Sequence, residues 1–166
     1  MYFRRMNQAV LLSGTNQGNR KQNLWTAAAL IEEKTGKFSS SSHIYETAAW
    51  GDENQEAYYN QVFIIETELH AGELMQKLLA IENEMGRTRI KKWEPRIIDI
   101  DILYFNGEII NEKDLTVPHP LLQERRFTLI PLAEVLPDFV HPLLKKSTLE
   151  LLSLCSDQGL VKEVTG

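Results

Sequence analysis

Short apolar runs alternate with helical stripes along the first two-thirds of this chain. Ala9-Val-Leu-Leu12 predicts a buried strand, closed by Ser13-Gly-Thr-Asn16. From about Asn19 to Lys34, Leu24, Ala27, Ala28 and Ile31 share one helical face, and Gly36 is the expected C-cap. Residues 37–47 read as extended, and Ala48 to Glu56 as a polar loop that carries Trp50. Tyr58 to Glu68 predicts a strand and Ala71 to Gly86 an amphipathic helix, with Leu74, Leu78, Ile81 and Met85 on its apolar stripe. A basic loop, 87–95, then leads into Ile97-Ile-Asp-Ile-Asp-Ile-Leu103. Asn106-Gly107 predicts a type I′ hairpin into Glu108-Ile-Ile110. Beyond Val117-Pro-His-Pro120, helices are expected near Phe127 to Val135 and from about Ser147 to Leu154.

The order through residue 105 is β-α-β-β-α-β, the split unit of ferredoxin-like α+β domains. Its two helices cover one sheet face. Loops and C-terminal segments are the available cover for the other, with room for a ligand cleft between. At 166 residues, 43% hydrophobic and 25% charged, the chain has the size and composition of one domain, residues 1–166, with a full core. A net charge of −5 argues against a general nucleic-acid binder. The single cysteine, Cys155, excludes an internal disulfide framework and fits a reducing cytoplasm. No apolar segment approaches the ~20 residues of a membrane span, and Met1-Tyr-Phe-Arg-Arg-Met6 lacks the apolar core of a signal peptide. The expectation is a cytoplasmic protein with no obligate protein partner.

The most informative residues are Asp99 and Asp101, two carboxylates inside an apolar, β-branched run. Side chains alternate along a strand, so the two point the same way from Cα atoms about 6.5 Å apart. Paired acids on a half-buried surface repel and resist desolvation unless cations lie between them, and hard oxygens suit Mg²⁺. The solvated face of an antiparallel strand fits the spacing as well. Against that stand Ile97, Leu103 and Phe105, which period-two alternation puts on the same face. The nearby Arg87, Arg89, Lys91, Lys92 and Arg96 point to phosphate, although a basic run is also a common solvated surface.

Other signals are weaker alone. Gly14-Thr-Asn-Gln-Gly18-Asn19 resembles a phosphate cradle without the Gly-Lys-Ser/Thr ending, and reads better as a strand-to-helix turn. His43, His70, His119 and His141 show no zinc-ligand spacing. Tyr58 and Asn60 share a strand face, where a ring and an amide suit a planar heterocycle or simply an edge strand. Trp50 and Trp93 lie in loops, and Trp93 in its basic loop points to a lid over a nucleotide. His119 is a phosphate contact or a turn residue.

Arg96-Ile-Ile-Asp99-Ile-Asp101-Ile-Leu, followed by Leu115-Thr-Val-Pro-His119, Arg125 and Phe127, closely resembles the 6-hydroxymethyl-7,8-dihydropterin pyrophosphokinase family of folate biosynthesis. Gly14-Thr-Asn16, Tyr45-Glu-Thr47, Tyr58-Tyr-Asn60, Ile81-Glu82 and Gly86-Arg-Thr-Arg89 follow in family order. The resemblance implies a three-layer α/β/α fold, and pyrophosphate transfer from ATP to the hydroxymethyl group of the dihydropterin, leaving AMP. It implies that Asp99 and Asp101 hold two Mg²⁺ ions, and that Tyr58 and Phe127 sandwich the pterin. Asn60, with the chain around Thr47 and Trp50, would hydrogen-bond the pterin. Glu82, Arg87, Arg89, Trp93, Arg96, Ile102, Leu115, Thr116, His119 and Arg125 match ATP-site and lid positions, Arg87 and Arg96 with a catalytic part. Departures are Pro120 for a frequent Tyr, Asp114 and Leu79 at nucleotide positions, Glu94 for Gly, and Ala48-Ala-Trp50 for Pro-Pro-Leu.

Two rivals remain at this point. Another Mg²⁺-dependent phosphotransferase or phosphohydrolase would share the Asp pair without needing Tyr58, Asn60 and Phe127. A ferredoxin-like RNA-binding module would require a basic face and sheet aromatics, which this acidic chain lacks.

Overall fold

A computed structural model describes residues 5–49, 54–86 and 97–165. In chain order the elements are β1 (Asn7–Thr15), α1 (Arg20–Lys34), β2 (Lys37–Ser41), β3 (Tyr45–Thr47), β4 (Tyr58–Thr67), α2 (Ala71–Glu84), β5 (Asp99–Phe105), β6 (Ile110–Glu112) and β7 (Leu115–Val117). A short 3-10 turn, Leu122–Glu124, precedes α3 (Arg126–Val135), α4 (Thr148–Leu154) and β8 (Val161–Glu163).

The central sheet runs β5-β1-β4-β3-β8, with β2 also on β4, and every pairing in it is antiparallel. This is the expected split βαββαβ order, with its second strand broken in two. β2 pairs with Phe63–Glu66 and β3 with Tyr58–Asn60, while the Ser42 N–H reaches Val62 O across the break.

Both sheet faces are buried because β1 and β4 alternate two apolar sets. Ala9, Leu11 and Ile65 join Leu24, Ala27 and Ile31 of α1 and Leu74, Leu78 and Ile81 of α2. Val10, Leu12, Val62 and Ile64 join Leu129 and Leu132 of α3 and Leu151 of α4. Full burial of each such side chain contributes about 1.5–3 kcal/mol, so neither helical layer is dispensable. The fold is the expected α+β, three-layer α/β/α arrangement.

Three local expectations are corrected and a fourth holds. Register shifts between Val10 and Leu11 opposite β5, so that Leu103 and Tyr104 both join the α3/α4 side. Phe105 is thereby turned to the α1/α2 side, away from the two aspartates. A turn forms at Asn106-Gly107, with the Glu108 N–H on Phe105 O, 3.0 Å, but it is not the expected type I′, since Asn106 has a positive φ (55°) and Gly107 does not. The chain does not return along β5, and β6 pairs with β7 in a separate two-stranded sheet. Gly36 is not the cap of α1; Thr35 is, and Gly36 passes so close to β4 that a Cβ would run into the Glu66 carbonyl. The Gly-rich stretch is a turn, with Gly18 at φ 59° and the Asn19 side chain accepting from Gln22 N, 3.0 Å.

The α3/α4 layer contains His141, 3% exposed, with its ring edge-on to Tyr104. Its Nδ1 accepts from the backbone N–H of Leu143 (3.2 Å) and Leu144 (3.1 Å), which a protonated ring cannot do. Burial accordingly pushes its pKa below the ordinary 6.5. Below that value the unfolded chain binds more protons than the native one, so stability falls as pH falls. The urea midpoint should therefore drop between neutral pH and about pH 5, and His141→Gln should flatten that dependence. An identical slope in the variant would contradict this.

Candidate active site

Register alone builds the floor of the site. Gly14 of β1 lies between Asn60 of β4 and Asp99 of β5, and Tyr45 of β3 extends the same row. Adjacent strands are about 4.8 Å apart, so the backbones of Asn60 and Asp99 are separated by about 10 Å. Only Gly14 lies between them. A Cβ there would lie 2.5 Å from Asn60 Oδ1 and 3.8 Å from the Tyr58 ring, closing the gap. The next row on this face is Val62, Leu12 and Asp101.

Above the floor is a cavity of about 230 Å³. Leu12 and Gly14 form its base, and Thr47, Ala48, Gln55, Tyr58 and Asn60 one side. Asp99 and Asp101 stand at the other, with Arg125 and Phe127 arriving from the start of α3. Tyr58, Asn60 and Phe127, expected together from the sequence, do share one chamber. Asn60 is 4% exposed, and its Nδ2 donates to Thr47 Oγ1 at 2.7 Å. That bond uses one of the amide's two N–H donors on the protein and leaves its oxygen over the glycine gap. The sequence points to the backbone around Thr47; the structure adds its hydroxyl as the group that orients Asn60.

A second cavity, about 270 Å³, opens beyond the outer edge of β5. Met75, Leu78, Leu79 and Glu82 of α2 form one wall; Asp114, Leu115, Thr116, His119 and Pro120 form another. Ile100, Asp101 and Ile102 of β5 lie between. Because β5 ends the sheet, alternate backbone groups face outward into this space. One is already used: the Ile100 N–H donates to Glu82 Oε1 at 2.8 Å, and Glu82 is 4% exposed. Ile102 lies on the same outward-facing edge. Asp101 borders both cavities.

The positive side of the site is built by burial. Arg125 lies 5.5 Å from the Phe127 ring centre and lines the first cavity, whereas the sequence points to the nucleotide side. Desolvation lowers its pKa and the charge of Asp101 raises it, with burial the larger effect. A guanidinium stays charged throughout. His119 is likewise held below the ordinary imidazole range by burial, against the pull of Asp101. Its Nδ1 accepts from the Leu121 N–H at 3.2 Å, so the neutral ring carries its proton on Nε2.

Trp50, Arg87, Arg89, Trp93, Glu94 and Arg96, and with them the expected lid, lie outside the described residues. Gly14, Gln55 and Ala48 as cavity-lining residues were not singled out by sequence. A glycine opposite an asparagine carries no signal until the pairing of the strands is known. Among the described residues no third His, Cys, Asp or Glu joins the Asp pair to complete a metal cluster.

Residues 10–137 match the family model of the 7,8-dihydro-6-hydroxymethylpterin-pyrophosphokinases. Over 133 residues the chain is 41% identical to the 2-amino-4-hydroxy-6-hydroxymethyldihydropteridine pyrophosphokinase of Aquifex aeolicus, covering 80% of this chain and 82% of that one. The Bacillus subtilis protein of the same name is 43% identical over 130 residues, 78% of each. A folic acid synthesis protein of Dictyostelium discoideum is 38% identical over 142 residues; the match covers 86% of this chain and only 22% of that longer one. In fold, the chain resembles wild-type Plasmodium falciparum HPPK-DHPS with STZ-DHP at a TM-score of 0.76 and 20% identity, over 90% of this chain and 43% of that one. The match of motif order, sheet topology and whole-length relatives leads to one statement: this chain belongs to the 7,8-dihydro-6-hydroxymethylpterin-pyrophosphokinase family.

Proposed function

We propose that this protein, acting in the cytoplasm as a single pyrophosphokinase domain, transfers the β,γ-pyrophosphoryl group of ATP to the hydroxymethyl oxygen of 6-hydroxymethyl-7,8-dihydropterin. AMP and the pterin diphosphate of folate synthesis are the products. The observation that carries the reading is that Asp101 borders both cavities, one with a ring-and-amide lining and one with an apolar wall beside an open strand edge. A transfer enzyme needs this adjacency, because acceptor and donor must meet at one phosphorus. A phosphohydrolase has no use for the first cavity.

The pterin ring lies between Tyr58 and Phe127, with its pyrimidine edge on Asn60 and its hydroxymethyl group toward the aspartates. The ~10 Å between Asn60 and Asp99 suits that length of ring plus substituent. ATP occupies the second cavity, its base against Leu78, Leu79, Ile100, Ile102 and Leu115 near buried Glu82. Thr116 and the Nε2–H of His119 face the phosphates. The hydroxymethyl oxygen forms its bond to the β-phosphorus as the bridge to the α-phosphate breaks. Asp101 takes the hydroxyl proton. Arg125, with Arg87, Arg89 and Arg96 of the basic loop, stabilises charge gathering on the phosphates, and Trp93 closes over the nucleotide.

The donor set fits two Mg²⁺ ions. Asp99 and Asp101 supply hard oxygens side by side, and Mg²⁺ is commonly held by one or two carboxylates with phosphate oxygens and water completing its shell. Such ions would neutralise the triphosphate and hold its oxygens in line for displacement. No obligate protein partner is needed for this chemistry.

Asp99→Ala and Asp101→Ala should each lower turnover at least ~100-fold with the unfolding transition retained. Loss of that transition in the purified variants would indicate a structural role instead, and unchanged turnover in EDTA would contradict the metal. The pterin half is tested by calorimetric titration of 6-hydroxymethyl-7,8-dihydropterin with and without a non-hydrolysable ATP analogue. Asn60→Ala should weaken pterin binding by ~1–3 kcal/mol, since it strands polar atoms of a buried ring, and leave the analogue's affinity almost unchanged. Gly14→Ala should act in the same direction by displacing Asn60. Equal losses for both ligands would sink the assignment of the first cavity.

A further inference from the structure

The family match ends at residue 137, yet the segment after α4 reaches back to both walls of the first cavity. On one wall, β8 pairs with β3 in a register that puts Val161 opposite Thr47 and Glu163 opposite Tyr45. The Ala48 N–H, one residue beyond β3, donates to Leu160 O at 3.2 Å, and the Val164 N–H donates to Ile44 O at 2.8 Å. This strap therefore holds the backbone of Thr47, whose hydroxyl orients Asn60.

On the other wall, α3 begins without a cap of its own. Its N-cap residue is Arg125, whose side chain makes no capping hydrogen bond. Asp157 supplies the missing acceptor from 31 residues away: its Oδ2 accepts from the Arg126 N–H at 3.0 Å. Its Oδ1 accepts from the Gly159 N–H at 2.9 Å, which turns the chain toward Leu160 and β8. Arg126 stands between the N-cap Arg125 and Phe127, both of which line the cavity. A carboxylate at a helix N-terminus also meets the positive end of the helix dipole, so the bond is charge-assisted.

From these contacts we infer that Asp157 is a positioning residue for the acceptor substrate. It and the β8 strap fix the spacing between the Phe127 wall and the Thr47–Asn60 wall, and so set the width of the slot that takes a flat heterocycle. The inference rests on the reading of the first cavity as the pterin site. Asp157 lines neither the first cavity nor the second, so its loss should separate the two affinities. One of its hydrogen bonds holds the first turn of α3 and the other holds the turn into the strap, so this one carboxylate links the two.

The test titrates wild type, Asp157→Ala and Asp157→Asn with 6-hydroxymethyl-7,8-dihydropterin in the presence of Mg²⁺ and a non-hydrolysable ATP analogue. The analogue's own affinity and the thermal midpoint are measured on the same samples. Losing a helix cap should raise the pterin Kd of Asp157→Ala about fivefold, with the analogue's Kd within about twofold of wild type. Asp157→Asn keeps an oxygen that can accept from Arg126 and should bind pterin nearly as wild type does. Unchanged pterin binding in Asp157→Ala overturns the inference, as does an equal loss of both ligands. Failure of Asp157→Ala to fold assigns the residue to general stability and overturns it too, as does a pterin loss in Asp157→Asn as large as that in Asp157→Ala. Wild type that binds the analogue but no pterin overturns the reading of the cavity itself, and the strap inference with it.

Discussion

Asp99 and Asp101 place two acids side by side at half burial on an edge strand, and the rest of the site is built around that pair. Two such groups are stable together only where positive charge answers them. Arg125 supplies part of that charge, and the proposed ions and basic loop would supply the rest. The sheet supplies the remaining condition, which is rigidity. Ile98, Ile100 and Ile102 lock the intervening positions of β5 into the α1/α2 core, so the aspartates cannot turn away from each other. Mutual repulsion is therefore retained rather than relaxed, and a cation bound between them relieves it.

The same strand is what would let the two proposed substrates meet here. β5 presents the Asp99 and Asp101 side chains to the sheet face shared with α3, and its outer backbone edge to α2 and β7. One strand thereby borders two cavities, with Asp101 common to both. Gly14 completes the arrangement from the neighbouring strand. Its missing side chain keeps the space between Asn60 and Asp99 open, so a flat ring can lie across the sheet with one end at the amide and the other at the acids. Burial then tunes the flanking groups. A neutral His119 with its proton on Nε2 keeps a donor available there without adding a second full charge beside Arg125.

What was legible in the sequence was what a local period encodes. The stripes of α1 and α2, the strand around Asp99 and Asp101, and the chain order of the split βαββαβ unit all follow from spacings within about ten residues. What was hidden depends on pairing between distant segments. The β-bulge opposite Val10 and Leu11 turns Phe105 away from the aspartates, and nothing in the residues around 105 announces it. Asn106-Gly107 made a turn, though not of type I′, and β6 found β7 rather than β5. Gly36 looked like a cap and is instead a point of close approach between two backbones. Asp157 carries no local signal in the sequence, because its partner at the start of α3 is 31 residues away. The metal and pterin readings needed the family motif, since spacing alone left a solvated strand face equally open.

The central claim is that the bond broken in ATP is the one between the α- and β-phosphates, with the hydroxymethyl pterin as acceptor. The most direct measurement is therefore to supply ATP labelled at its β-phosphorus, with Mg²⁺ and 6-hydroxymethyl-7,8-dihydropterin, and to separate the products. A pyrophosphokinase places all transferred label in the pterin diphosphate and leaves AMP unlabelled, in equal amounts. Label recovered in ADP, or in free pyrophosphate formed at the same rate without the pterin, would contradict it.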